Sequence, residues 1–302
     1  MDPQKPLIGL IGAGIGQSLS PAMHMEEARH HGLDLHYQLI DLDRTGAGIE
    51  ALPGLVAAAR TMGFAGLNIT YPCKQAVLPL LDALSPDARA MGAVNTVVLR
   101  DGRLVGHNTD GSGWAWGFRR ALPQADLSHV VLLGTGGAGS AIAHAVLQLG
   151  AGQLWLVDRE AARAQALAES LNRCHAAGTA GARVQASTDL AGALQGATGL
   201  IHATPTGMSK LPGLPLDAAL LHPGLWLAEV VYFPLETALL RAARAAGCAV
   251  ADGGGMAVGQ AIGAFELFTG LRADPERVAA HFRRLVAARE AAASAPPASR
   301  TA

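Results

Sequence analysis

Lysine is nearly missing from this 302-residue chain: it occurs only at Lys5, Lys74 and Lys210, and arginine supplies every other basic side chain. A lysine inside a tight motif therefore carries more information here than in a lysine-rich protein. Cysteine is scarce too. Cys73, Cys174 and Cys248 are odd in number and widely spaced, which argues against a disulfide framework or a zinc pattern and suits a reducing cytoplasm. No apolar run reaches the roughly 18 residues of a membrane span. The N-terminus lacks a basic region followed by a small-residue cleavage site, so no secretory signal is expected. No basic tract is present and the net charge is −1, so neither nucleic acid nor an anionic membrane surface is an expected partner. The eleven histidines show no HExxH-type spacing. The cluster at 24–31 reads as a helix surface, and no metal is expected.

What is present is an apolar half of the chain, enough at this length for two domains with a sizeable core. Short apolar runs alternate with helical patterns: strands at 7–11, 37–42 and 66–70, helices at 21–31 and 49–62. That is the rhythm of a parallel α/β sheet. Two strand-like runs then flank Asp101-Gly102, the dipeptide of a type I′ hairpin, and pairing about that turn brings Asn95 and Asp110 together at its open end. A second series starts at Val130, with strands at 130–134 and 154–158 around a helix at 136–149. Further strands are predicted at 183–186, 199–204, 226–231 and 249–251, and final helices at 256–269 and 274–292. The closing AAASAPPASRTA is of low complexity and is expected to be disordered.

Gly134-Thr135-Gly136-Gly137-Ala138-Gly139 fits GxGxxG between a strand and a helix, where glycine admits a pyrophosphate and the helix N-terminus offers free N–H groups. Asp158 closes the next strand, 24 residues after Gly134, in place to receive ribose hydroxyls. A carboxylate there repels a 2′-phosphate and favours NAD, whereas Arg159 and Arg163 could clamp one, so NADP stays open. The N-terminal Gly12, Gly14 and Gly16 form a looser glycine pattern without the third position or a helix, and read as a turn beside the substrate.

Polar groups gather where the first strands end, the ligand edge of an open α/β sheet. Ser18 and Ser20, two apart in an extended stretch, present both hydroxyls one way beside a helix whose first residue is Pro21 and whose N-cap is Ser20. They could receive a carboxylate, or simply cap the helix. Asn68 and Thr70 share a strand face and Lys74 follows a proline turn. A solvated helix lysine is the bland alternative, but lysine can release a proton when partly desolvated and arginine cannot. Asp110, in GHNTDG, either belongs to a polar linker or faces Lys74 across a cleft.

Taken together, SLSP, NITYPCK, GAVNTVV, HNTDGSG and DGGGMAVGQA resemble the shikimate/quinate dehydrogenase family, in family order from Leu7 to about Leu285. The resemblance implies an N-terminal three-layer α/β substrate domain at 1–112, onto which 253–290 pack back, and a Rossmann-type NAD(P) domain at 113–252, with 291–302 as the tail. It implies that Ser18 and Ser20 hold a substrate carboxylate, and that Asn68, Thr70, Asn95, Asp110 and Gln260 bind ring hydroxyls. Lys74 and Asp110 become the catalytic pair, and Tyr232 lies near substrate and nicotinamide. Gly255 and Met256 match a loop that approaches the nicotinamide, and Thr204, in GLIHATPTGM, joins the cofactor set. Asp158-Arg159-Glu160 is similar to the NAD-using quinate/shikimate branch, whereas Tyr71 and Cys73 depart from the usual lysine motif. The reaction implied is reversible oxidation of the C3 hydroxyl of shikimate or quinate to a 3-dehydro ketone. A substrate analogue, a non-catalytic NAD- and metabolite-binding regulator, a folate-type dehydrogenase and a homodimer all remain open on the sequence.

Overall fold

The computed structural model describes residues 4–175 and 183–294. Among these residues, two six-stranded sheets organise the chain. The first contains β1 (Leu7–Gly12), β2 (His36–Asp41), β3 (Gly66–Ile69), β4 (Ala83–Leu84), β5 (Thr96–Arg100) and β6 (Arg103–His107), in the order β2-β1-β3-β5-β6-β4. β1 runs parallel to β2 and β3, and β5 runs antiparallel to β3 and β6. Asp101 and Gly102 both have positive φ between β5 and β6, as the predicted type I′ turn requires. The second sheet is parallel throughout: β7 (His129–Leu133), β8 (Gln153–Val157), β9 (Arg183–Ser187), β10 (Gly199–His202), β11 (Trp226–Glu229) and β12 (Ala249–Ala251), in the order β12-β11-β10-β7-β8-β9. In each sheet the strand order reverses beside the first strand, which opens a crevice at the carboxyl ends.

The helices are α1 (Ser20–His30), α2 (Leu42–Thr45), α3 (Leu52–Thr61), α4 (Cys73–Ala76), α5 (Pro86–Met91), α6 (Asp110–Ala121), α7 (Gly137–Gln148), α8 (Ala161–His175), α9 (Leu190–Ala193), α10 (Ala238–Ala245), α11 (Gly254–Thr269) and α12 (Pro275–Ser294). Side chains of alternate strand residues feed opposite cores. Ile8 and Leu10 pack with α1, α11 and α12, while Ile11 and Ile69 pack with Leu52 and Val56 of α3. The last two helices thus return to the first sheet. Bidentate pairing of Arg277 with the buried Glu27 carboxylate, at 2.6 and 2.8 Å, ties α12 to α1. The boundary expected at 112/113 lies within α6, the helix that follows β6 of the first sheet and precedes β7 of the second.

Several boundaries differ from the sequence reading. The helix expected at 49–62 divides into a 3-10 turn at Ile49–Ala51 and α3, because Pro53 suits only the first turn of a helix. Residues 291–294 continue α12 rather than starting a tail; 295–302 lie outside the described residues. The strands at 199–204 and 226–231 stop at His202 and Glu229. The histidine cluster is not all surface either. His24 is buried against the rings of Tyr37, Phe265 and Phe268, and neither ring nitrogen has a partner.

Burial lowers the His24 pKa to about 4. A depressed histidine contributes its stability fully above the unfolded value near 6.5 and loses it as pH falls toward 4. The loss amounts to roughly 3 kcal/mol at about 1.4 kcal/mol per unit. Melting temperature should therefore drop steeply between pH 6.5 and 4, and His24→Phe should flatten part of that drop. An unaltered pH–Tm curve in the variant would rule the contribution out. His144, also lowered to about 4 chiefly by burial, accounts for a further share.

Candidate active site

The antiparallel β5 starts, and β6 ends, at the edge where β1 and β3 end, because Asn68 is in register with Thr96 and Thr96 with His107. Four chain segments therefore meet at one crevice. Lys74, in the single turn of α4, donates from Nζ to Asp110 Oδ2 at 2.6 Å. The pair is partly shielded, with side-chain exposures of 20% and 8%. Asp110 opens α6, where a carboxylate also favours the helix dipole. Its other oxygen accepts from Asn95 Nδ2 at 2.9 Å, and its backbone N–H donates to Asn108 Oδ1. The two ionisable groups brought together here come from residues 36 apart in sequence.

Asn95 and Asn68 sit at this edge with protein partners around each amide. Both Asn95 Nδ2 hydrogens are engaged, by Thr109 Oγ1 and Asp110 Oδ1, and its Oδ1 accepts from Thr109 N–H at 2.8 Å. Asn68 Oδ1 accepts from the Tyr37 phenol at 2.7 Å, and its Nδ2 donates to Thr96 Oγ1 and the Asn95 carbonyl. These bonds brace the floor under Asp110. Thr70 lies just past the end of β3, its N–H still donating to the Ile11 carbonyl at 3.0 Å. The serine segment differs from its expected form. Leu19 is the helix N-cap with helical φ and ψ and no side-chain cap, so Ser18 and Ser20 do not share an extended stretch and Ser20 lies within α1. Instead, Ser18 Oγ accepts from the Ser20 N–H at 3.2 Å, which leaves both hydroxyls beside the start of α1.

Arg289 of α12 donates to the Gln17 carbonyl and side-chain oxygen, next to Ser18, and stacks 4.5 Å over the Phe233 ring, next to Tyr232. The loop ahead of Ser18 and the loop carrying Tyr232 are thereby held together. Gln260 of α11 adjoins the same floor, its carbonyl accepting from Thr109 Oγ1 at 3.1 Å. The N-terminal turn is secured by Asp41, which accepts from the Gly14 N–H.

At the reversal point of the second sheet, the glycine segment joins β7 to α7. An added Cβ on Gly139 would stand 2.0 Å from the Gly134 carbonyl oxygen, so only glycine lets the helix start this close to the turn. Gly136 and Gly137 are exposed. An added Cβ on Gly137 would lie 3.8 Å from Lys74 Cδ, which places the glycine turn against the lysine. This cradle, with open amides and nothing larger than hydrogen on its glycines, fits a dinucleotide pyrophosphate. Asp158 is turned inward: Oδ2 accepts from Thr135 N–H and Oγ1, each at 2.8 Å, and Oδ1 from Glu160 N–H. Burial works to raise its pKa, but the bonds from Glu160 and Thr135 outweigh it and hold the carboxyl below its ordinary range. Arg163 is engaged by Glu160 at 2.5 Å, while Arg159 is exposed. Thr204 packs its methyl against Gly134. Met256 is half-buried beside the second core. Gly255 sits in the first turn of α11 pressed on Gly117 of α6, not in an open loop.

The sequence reading missed a buried cluster at this edge, made of His202, Glu229 and Thr237. Strand periodicity buries apolar residues at such positions, so a histidine and a glutamate ending two adjacent buried strands were the available signal.

Residues 10–97 match the family model described as the shikimate dehydrogenase substrate binding domain. Over 280 residues the chain is 61% identical to a shikimate dehydrogenase (NADP(+)) of Streptomyces avermitilis, covering 92% of this chain and 95% of that one. It is 46% identical to a quinate/shikimate dehydrogenase (NAD(+)) of Corynebacterium efficiens, covering 92% and 98%. The quinate dehydrogenase from Corynebacterium glutamicum in complex with NAD superposes with a TM-score of 0.85 at 43% identity, over 93% of this chain and 99% of that chain.

Proposed function

The chain belongs to the shikimate dehydrogenase family, and from that membership we propose how its own residues carry out the reaction. It is a nicotinamide-dinucleotide-dependent shikimate/quinate dehydrogenase. The substrate side comprises 1–112 with 253–290 and the dinucleotide side 113–252, and the enzyme works in the cytoplasm. The observation that carries the reading is the Lys74–Asp110 contact at 2.6 Å, set against the glycine turn after β7.

Bound on that turn, the dinucleotide supplies the hydride acceptor or donor. Ser18 and Ser20 hold the substrate carboxylate at the start of α1, where the positive end of the helix dipole favours an anion. Thr70, Gln260 and Tyr232 surround the ring, while Asn68 and Asn95 keep Asp110 in place. The C3 hydroxyl gives its proton to Lys74 Nζ as the ketone forms, and Asp110 fixes the amine and stabilises the ammonium. In reverse, the ammonium returns the proton to the carbonyl oxygen. Steady-state kinetics with shikimate and quinate test the reading, and absence of turnover with both would overturn it.

For the cofactor we favour NAD. The Asp158 carboxylate stays ionised and is joined by Glu160, while Arg163 is already paired with Glu160. A 2′-phosphate would meet two carboxylates and one guanidinium without an ion pair among the described residues, that of Arg159. We expect kcat/KM to be at least ~10-fold higher with NAD than with NADP, equivalent to ~1.4 kcal/mol. Equal or reversed values would refute the preference.

A further inference from the structure

His202 ends β10 and Glu229 ends β11, in register with each other. Both are fully buried, at 0% and 1% exposure. His202 Nδ1 lies 2.8 Å from Glu229 Oε1, and His202 Nε2 lies 2.5 Å from Thr204 Oγ1. Glu229 has further donors. The N–H groups of Val230 and Val231 donate to Oε1 at 2.8 and 3.0 Å, and the Thr237 hydroxyl donates to Oε2 at 3.0 Å.

Three donors besides the histidine stabilise the ionised form of this carboxyl group, and an ionised carboxylate only accepts hydrogen bonds. The proton between Glu229 and His202 therefore resides on Nδ1. In the neutral imidazole, Nε2 is then an acceptor, and the short contact with Thr204 requires the threonine hydroxyl to donate inward. Its oxygen keeps two lone pairs. One receives the longer bond from the Thr206 N–H at 3.3 Å; the other remains for a donor from outside. Thr204 cannot turn away, because its methyl fills the space beside Gly134 of the dinucleotide turn. The chain of bonds thus sets the polarity of a hydroxyl at the point where the strand order reverses.

We propose that Glu229 and His202 are positioning residues that fix the Thr204 hydroxyl as a hydrogen-bond acceptor for an O–H or N–H donor of the bound dinucleotide. The inference rests on the dinucleotide reading of this edge. Replacing Glu229 by leucine removes the acceptor that holds the proton on Nδ1: the proton is free to move to Nε2, where Thr204 accepts from the histidine and presents its own proton outward. Donor then faces donor.

The test titrates NAD against the resting protein by calorimetry and follows imidazole tautomers by 15N NMR. In the unaltered protein, His202 should show a protonated Nδ1 and a bare Nε2. Thr204→Val and Glu229→Leu should each weaken NAD binding about 10-fold, as the loss of a hydrogen bond worth about 1.4 kcal/mol predicts. Thr204→Ser should retain near-normal binding. The double variant Thr204→Val/Glu229→Leu should bind no worse than Thr204→Val, because the carboxylate acts through that hydroxyl. A protonated Nε2 in the unaltered protein overturns the proposal, and this reading needs no variant to fold. Weakened binding in Thr204→Val with full affinity in Glu229→Leu also overturns it while leaving the dinucleotide site intact. Full affinity in both removes Thr204 from the cofactor site and the proposal with it.

Discussion

Lys74→Ala should lower kcat by about 10²- to 10⁴-fold, the usual contribution of a positioned acid–base group, while the KM of the acid substrate moves far less. The pairing explains why the effect should be confined to the chemical step. Lys74 meets Asp110 through Nζ, yet Asp110 remains held from its other side by Asn95 Nδ2 at 2.9 Å and through its backbone by Asn108. Removing the amine leaves the carboxylate in place, and the serines beside α1 are untouched. Lys74→Arg is the informative companion. It keeps the charge and can bond Asp110, but a guanidinium does not give up its proton at working pH, so activity should remain far below that of the unaltered enzyme. Burst and steady-state kinetics at saturating substrate provide the measurement. A kcat within about threefold of the unaltered value in Lys74→Ala would remove the amine from proton transfer.

Gly113→Leu should cost about 3 kcal/mol or more, beyond the usual range for an overpacked side chain, because backbone meets backbone. α6 and α11 cross at two glycine pairs, Gly113 against Gly259 and Gly117 against Gly255. A Cβ added at Gly113 would stand 2.4 Å from the Gln260 nitrogen, and one at Gly117 would stand 2.5 Å from the Gly255 carbonyl carbon. No rotamer change relieves such a contact; the helices must part. At roughly 2–4 °C per kcal/mol for a chain of this size, melting should fall by at least about 6 °C. Activity should fall with it, since α6 begins at Asp110 and α11 carries Gln260. Gly54→Ala is the control: it lies in α3 with nothing within 4 Å of an added Cβ and no positive φ, so it should be neutral or slightly stabilising. A Gly113→Leu protein that melts within 2 °C of the unaltered one would show that the crossing yields.

Much of the site could be read from local patterns because its parts are local. A glycine turn between strand and helix, a hairpin centred on Asp101-Gly102 and a lone lysine after a proline each depend on a few adjacent residues. The hairpin register alone brings Asn95 to Asp110. The roles of Asn68 and Asn95 were less legible. An amide on a strand end offers the same donors and acceptors to a ligand or to its neighbours, and only the positions of Tyr37, Thr96 and Thr109 show that the neighbours take them. The serine segment failed for a similar reason: Leu19 already has helical dihedrals, and the hydroxyls turn with it.

Composition, periodicity and turn chemistry were sufficient to establish an α/β chain with two sheets, a dinucleotide turn and one informative lysine, because each follows from interactions among near neighbours. Packing between distant segments decided the rest: that Lys74 and Asp110 touch, that α11 and α12 return to the first sheet, and that His202 and Glu229 join beneath Thr204. Those outcomes depend on which strand lies beside which, and a hydrogen bond or a helix crossing exists only once the intervening chain has brought both partners within a few ångströms.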